Sequence, residues 1–229
     1  MIKKLLLFII FSILATQIHA QYKPVLFGLR VGADLGWVKP DTEEYESEGV
    51  QMGFTWGFIG EFFLMENYAI ATGFNVNFIG GEMSYPYVLM TPNFYPLGTL
   101  YRKYNLKYIQ IPLCLKMKTD ISDKFRLFGK IGLGTAFKLS AKATDDFVFY
   151  GGTESYPKRN IDEEVALMRE SLIIGGGVEY KLKGSTALML ELIYDNAFNN
   201  MLTGEDQGYM VSDPKAFLNY VELVVGIVF

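Results

Sequence analysis

Apolar and polar residues alternate with period two along most of this chain, a spacing that sends successive side chains to opposite faces of a β-strand. Bounded by turn residues, the alternation predicts eight strands at about 26–38, 50–65, 68–79, 101–118, 125–140, 166–182, 186–197 and 217–229. Three connections are short, Glu66-Asn67, 119–124 and 183–185, and four are long, 40–49, 80–100, 141–165 and 198–216. Short and long alternate strictly.

The same alternation sorts the faces. In the first strand Phe27, Leu29, Val31, Leu35 and Trp37 oppose Gly28, Arg30, Gly32, Asp34 and Gly36. In the fourth Ile109, Ile111, Leu113, Leu115 and Met117 oppose Gln110, Pro112, Cys114 and Lys116. In the fifth Leu127, Ile131, Leu133, Phe137 and Leu139 oppose Arg126, Lys130, Gly132, Gly134 and Lys138. Leu188, Leu190, Leu192 and Tyr194 oppose Met189, Glu191 and Asp195 in the seventh; Val221, Leu223, Val225 and Ile227 oppose Glu222, Val224 and Gly226 in the last. One face is large and apolar, the other mixes glycine with charge.

A large apolar face turned outward suits lipid, and a narrow bore suits glycine and paired charge. The expected fold is therefore all-β: an eight-stranded antiparallel up-and-down transmembrane β-barrel with four long outer loops and both termini on the periplasmic side. Closure satisfies every strand edge, as lipid requires. The reverse arrangement, a soluble lipocalin-like ligand-binding barrel, would overfill its bore and expose the glycine-and-charge face. Trp37, Phe78, Tyr104 and Tyr194 are expected in an outer aromatic girdle, and Phe62, Tyr68, Phe125, Tyr180 and Phe229 in a periplasmic one.

Inner-face charge is balanced. Arg30, Lys116, Arg126, Lys130, Lys138 and Arg169 face Asp34, Glu61, Glu179, Glu191, Asp195 and Glu222, six against six. Buried charges need partners, and a selective pore would show an excess of one sign. The lumen is expected to be plugged by ion pairs.

Composition narrows the class further. Met1-Ile2-Lys3-Lys4, an apolar run from Leu5 to Leu14 and the ending Ile18-His19-Ala20 form the parts of a secretory signal peptide. The expected organisation is a signal peptide at 1–20 and a barrel domain at 21–229, placed in the outer membrane of a Gram-negative cell. Removing residues 1–20 from 229 leaves 209, and 19 basic residues then face 25 acidic ones, a net charge of −6. That balance argues against a nucleic-acid partner. Cys114 is the sole cysteine and His19 the sole histidine, poor material for a disulfide or a zinc site.

The segment Lys107-Tyr108-Ile109-Gln110-Ile111-Pro112-Leu113-Cys114-Leu115-Lys116 resembles the PorT-type outer-membrane β-barrel family of the Bacteroidota. Phe27-Gly28-Leu29-Arg30-Val31-Gly32 and Val224-Val225-Gly226-Ile227-Val228-Phe229 support the resemblance. The terminal aromatic is similar to the signal read by the barrel-assembly machinery. The family includes a type IX secretion component, so the resemblance also implies an accessory role in a secretion complex. Pro112 cannot donate to the ladder and implies a bulge or relaxed pairing.

No catalytic, cofactor or metal site emerges. Small outer-membrane enzymes that activate a serine rely on a histidine, absent after residue 20. Glu191, Asp195 and Glu222 could form an acid–base cluster, or neutralise luminal bases. Cys114 reads either as a redox thiol or as a small buried hydrophobe. Gly175-Gly176-Gly177 lies inside a strand and is not a phosphate loop. The long connections hold 15 acidic and 4 basic residues, which suits a divalent cation or a basic partner, or a solvated repelling surface. Segment 85–96 is apolar for a loop and reads as a protein-partner patch or a lid over the mouth. The expected function is a non-enzymatic membrane module working through outer loops or envelope partners.

Overall fold

The computed structural model describes residues 25–90, 95–204, 208, 210, 211, 213–229. The expected signal peptide lies outside the described residues. Nine strands form in chain order: β1 Val25–Pro40, β2 Glu46–Met65, β3 Tyr68–Val88, β4 Leu97–Asp120, β5 Phe125–Phe149, β6 Gly152–Asn160, β7 Met168–Lys181, β8 Ala187–Ala197 and β9 Ala216–Val228. Eight of them close a ring, β1-β2-β3-β4-β5-β7-β8-β9, every pairing antiparallel. Closure joins β1 to β9 in the register Arg30↔Gly226 and Asp34↔Glu222. Phe27 and Phe229 exchange backbone hydrogen bonds of 3.1 and 2.8 Å at the end that also carries the tight turns.

Facing follows the alternation. Leu29, Val31, Leu113, Leu133 and Leu192 are exposed on the outside, while Arg30, Asp34, Gln110, Lys116, Glu179, Glu191 and Glu222 are buried inside. This is the reverse of a lipocalin-like barrel, whose apolar face would line the bore. At Pro112 the β5 ladder continues through Pro112↔Gly134, but β3–β4 pairing stops after Thr72↔Leu113 and resumes at Asn75↔Gln110. The register is unchanged across the gap, so the proline relaxes the pairing without adding a residue. Gly73 sits opposite this gap with φ of 144°, a conformation that suits glycine alone.

The structure departs from the sequence expectation in the long connections. Of 80–100 and 141–165, much is strand: β3 runs to Val88, β4 starts at Leu97, β5 runs to Phe149, and β6 pairs onto it as a ninth strand. A membrane crossing takes about 9–11 residues per strand, which β7, β8 and β9 meet with 14, 11 and 13. At 21, 24 and 25 residues, β3, β4 and β5 overshoot by roughly a second crossing length. They project beyond the loop end as a fin on one side of the ring. Glycine and proline at Gly80, Gly81 and Pro86 read as turn punctuation, but here they sit within paired β3.

Glycine also lets β3 lean onto β1 at the base of the fin. A Cβ on Gly36 would press into the carbonyl oxygen of Gly80, and one on Gly81 would lie 2.6 Å from the Val38 nitrogen. Gln51 reinforces the contact by donating to the Gly81 carbonyl at 2.9 Å. The wall is thus drawn inward near the loop end.

Candidate functional site

From the turn end upward, the bore is filled by layers of paired charge. Glu61 and Glu179 each bridge the same two lysines: Lys116 Nζ lies 2.5 and 2.7 Å from them, and Lys118 Nζ 2.6 and 2.9 Å. All four side chains are nearly fully buried, and the group is electrically neutral. Lys116 also stands 3.8 Å over the Phe128 ring, a cation–π contact at close range. The next layer holds Lys130–Glu191 at 2.7 Å and Arg30–Glu222 at 2.5 Å. Above it Arg169 meets Asp195 at 2.6 Å and donates to the Leu218 carbonyl. The second oxygen of Asp195 accepts from Gln110 at 2.8 Å and Tyr220 at 2.9 Å, and Gln110 accepts from Asn77.

Arg30, Lys116, Lys118, Lys130 and Arg169 therefore meet Glu61, Glu179, Glu191, Asp195 and Glu222. Three of the expected inner charges behave otherwise. Arg126 lies half-exposed at the turn-end rim, with Asp120 at 2.9 Å, and reaches the inner carboxylate Glu179 only at 3.9 Å. Lys138 turns to the carbonyls of Asp162 and Val165. Asp34 is buried and, among the described residues, has no ion-pair partner; the Thr55 hydroxyl acts on it. Lys118, absent from the expected set, shares the parity of Lys116 two residues away, and that spacing was enough to place it.

A cavity of about 30 Å³ remains between the layers, lined in part by Arg30, Cys114, Lys130 and Glu191. It has room for about two waters. Cys114 is buried beside Phe128, Ile173 and Met189, the surroundings of a small hydrophobe. Glu191, Asp195 and Glu222 do not form an acid–base cluster, because each is bound to its own cation. Gly175 leaves room for the Lys130 and Glu191 side chains, and Gly177 for the Phe128 ring. Among the described residues no cluster of His, Cys, Asp and Glu could hold a metal.

Toward the loop end the bore changes character. Val38, Tyr45, Met83, Tyr85, Leu100, Tyr104, Phe147, Ile161, Met201 and Leu218 belong to one buried apolar core. The inner face of the fin supplies Met83, Tyr85, Leu100, Tyr104 and Phe147; the connections after β1, β6 and β8 supply Tyr45, Ile161 and Met201. Tyr104 is thus inside rather than in the outer girdle, since it shares the parity of Arg102 and Leu106. Trp37 and Tyr194 stack at 6.3 Å, and Phe62, Tyr68, Phe125 and Phe229 are exposed around the turn end.

Arg102 is buried within this core. It holds Asp145 through two bonds of 2.7 and 2.8 Å and Glu164 at 2.5 Å, and Arg159 reaches the same two carboxylates. Tyr85 and Phe147 pack around Tyr87. Of the apolar segment 85–96, Tyr85 and Tyr87 turn inward, Met90 and Tyr95 are exposed, and 91–94 lie outside the described residues. Much of the loop acidity is spent internally: Asp146 accepts from Ser155, Glu154 from Tyr156, and Asp162 from the Ala141 amide.

Solved structures similar to this chain are bacterial surface barrels. Neisserial surface protein A (NspA) is 12% identical, with 88% of this chain and 95% of that chain covered and a TM-score of 0.47. Ail, the attachment invasion locus protein of Yersinia pestis, solved with the heparin analogue sucrose octasulfate, is 14% identical over 90% of this chain and 100% of that one, with a TM-score of 0.38. The outer membrane protease OmpT from Escherichia coli is 9% identical over 93% of this chain and 99% of its own, with a TM-score of 0.39. No curated protein matches the chain. The profile of the outer membrane protein beta-barrel domain does match, over residues 17–203, and with the closed ring and its lipid-facing apolar band this chain belongs to that family of the outer membrane.

Proposed function

We propose that this protein is a closed, non-enzymatic outer-membrane barrel that works by contact through its fin. The observation that carries the reading is the apolar core at the loop end, stacked on neutral layers of ion pairs. Water and ions would have to cross both. The paired state of Glu191, Asp195 and Glu222 supports the absence of catalysis, since each carboxylate is already committed to a cation. The loop end faces outside the cell, because short turns belong to the periplasmic side. Residues 1–20 are removed as a signal peptide during export, and barrel-assembly machinery inserts the mature chain by its C-terminal strand. An epitope inserted between Tyr150 and Gly151, at the fin tip, tests the orientation. Antibody should label intact cells; labelling only after permeabilisation contradicts it.

A second reading rests on the PorT-like segment at residues 107–116, which forms the middle of β4. In that reading the protein is an accessory component of a type IX-like secretion complex in a member of the Bacteroidota. Deleting the gene and comparing secreted proteins separates the two readings.

A further inference from the structure

On the outside of the barrel, where the fin leaves the ring, lies a groove of about 350 Å³. Two irregularities open it. The β2–β3 ladder breaks between Gly49↔Glu82 and Phe54↔Phe78, and β5 carries Leu139 as an unpaired residue between Lys107↔Ser140 and Tyr108↔Lys138. Gly80 contributes no side chain to fill the gap. Met52, Phe54 and Phe78 give the groove an apolar wall, and Lys107, Lys142 and Lys158 stand at its edge.

These lysines are not committed elsewhere. Among the described residues none has a carboxylate within ion-pair distance, whereas Lys103, next on the same face, is bound to Glu82 at 2.8 Å. Lys107 lies 4.9 Å over the Phe78 ring, which aims its ammonium at the groove. Asp162 is the carboxylate acting on Lys142, and its oxygens are held by the Ala141 amide and Asn160. Depth is set by the neighbours: Ile109 and Ile111 follow Lys107 down the outer face of β4, and Phe137 and Leu139 do so on β5, all within the lipid-facing band. Three cations therefore stand at the upper edge of that band, beside an apolar cleft.

We propose that this groove binds the phosphorylated headgroup of an acylated amphiphile in the leaflet that meets the loop end, with Lys107, Lys142 and Lys158 on its phosphates and acyl chain along Met52, Phe54 and Phe78. A free phosphate would use the charges and leave the apolar wall bare; a neutral lipid would do the reverse. The orientation given above makes this the outer leaflet, but binding in detergent does not depend on it, so the two can fail separately.

The test is native mass spectrometry of the purified protein in neutral detergent, titrated with a diphosphorylated acylated disaccharide lipid, the same lipid without phosphates, and inorganic phosphate. Lys107→Gln/Lys142→Gln/Lys158→Gln should weaken binding of the phosphorylated lipid on the order of a hundredfold, from about one kcal/mol per lysine. Lys124→Gln/Lys183→Gln, at the turn end, should leave it unchanged. Equal retention of the phosphorylated and dephosphorylated lipids by the native protein overturns the proposal, whatever the variants do. So does competition by inorganic phosphate at lipid concentrations, or a triple variant that still binds.

Discussion

Lys116 on β4 stands directly opposite Lys130 on β5, yet the two ammonium groups turn to different carboxylates. Lys116 reaches past its neighbouring strands to Glu61 on β2 and Glu179 on β7, and Lys130 reaches past β7 to Glu191 on β8. Two like charges as cross-strand neighbours would destabilise an isolated sheet. Here strands two places away in the ring resolve the conflict, β2 and β7 for Lys116 and β8 for Lys130, so these charges depend on the curvature that brings those strands within reach.

The first prediction follows from that dependence. Glu179→Gln leaves Lys116 and Lys118 sharing one carboxylate in a buried layer and should cost about 3–5 kcal/mol. Adding Lys118→Met restores neutrality and should recover part of the loss. Urea unfolding in detergent micelles, followed by gel mobility of the folded barrel, measures both. Full additivity of the two losses would show that the charges are not coupled.

Asp34 gives the opposite expectation. Its carboxylate is buried, faces Glu222 across β1 and β9, and has no cation beside it among the described residues, only the Thr55 hydroxyl acting on it. Asp34→Asn should raise stability by about 1–3 kcal/mol, whereas Glu222→Gln strands Arg30 and should lower it. The same unfolding measurement decides; a destabilised Asp34→Asn would contradict the expectation.

Depth along β5 can be read by substitution on one face, which the unpaired Leu139 carries from odd to even positions. Leu133 and Val148 both face outward and are 53% and 41% exposed. Leu133 lies in the lipid band and Val148 on the fin. Leu133→Arg should cost about 2–4 kcal/mol, and Val148→Arg less than about 0.5 kcal/mol. Folding into liposomes provides the comparison, and equal costs would place the fin in lipid.

The base of the fin should loosen in acid. The Ala141 amide, first among the causes, holds the Asp162 carboxyl below the usual carboxylate range, with Asn160 next. A folded-state pKa that is depressed contributes stability above the ordinary carboxylate value and loses it as pH falls through the folded value. Hydrogen exchange at Ala141 should therefore accelerate, beyond the intrinsic pH trend, below about pH 4. Asp162→Asn should remove that pH dependence.

Period-two alternation made the eight ring strands and the lipid face legible, because a strand with one face in lipid must alternate. Partners were not legible: Lys116 contacts Glu61 and Glu179 through the tilt and closure of the ring, and a single strand holds no record of either. The fin escaped for a different reason. Its outer face carries Glu82, Lys103 and Asn105 and its inner face Met83, Tyr85 and Tyr104, so it alternates like a soluble sheet, while Gly80, Gly81 and Pro86 interrupt the pattern. Lys118 needed only the parity of Lys116. The apolar core at the mouth needed three separate connections to meet the fin, which no local pattern announces.

The central claim is that the bore is closed twice, by neutral ion pairs below and by the apolar core of Tyr85, Tyr104 and Phe147 above. Single-channel recording of the purified protein in planar bilayers tests it most directly. The account predicts a flat baseline over the whole range of applied voltage, in the native protein and in Glu191→Gln alike. Reproducible conductance steps with a clear cation or anion preference would contradict it.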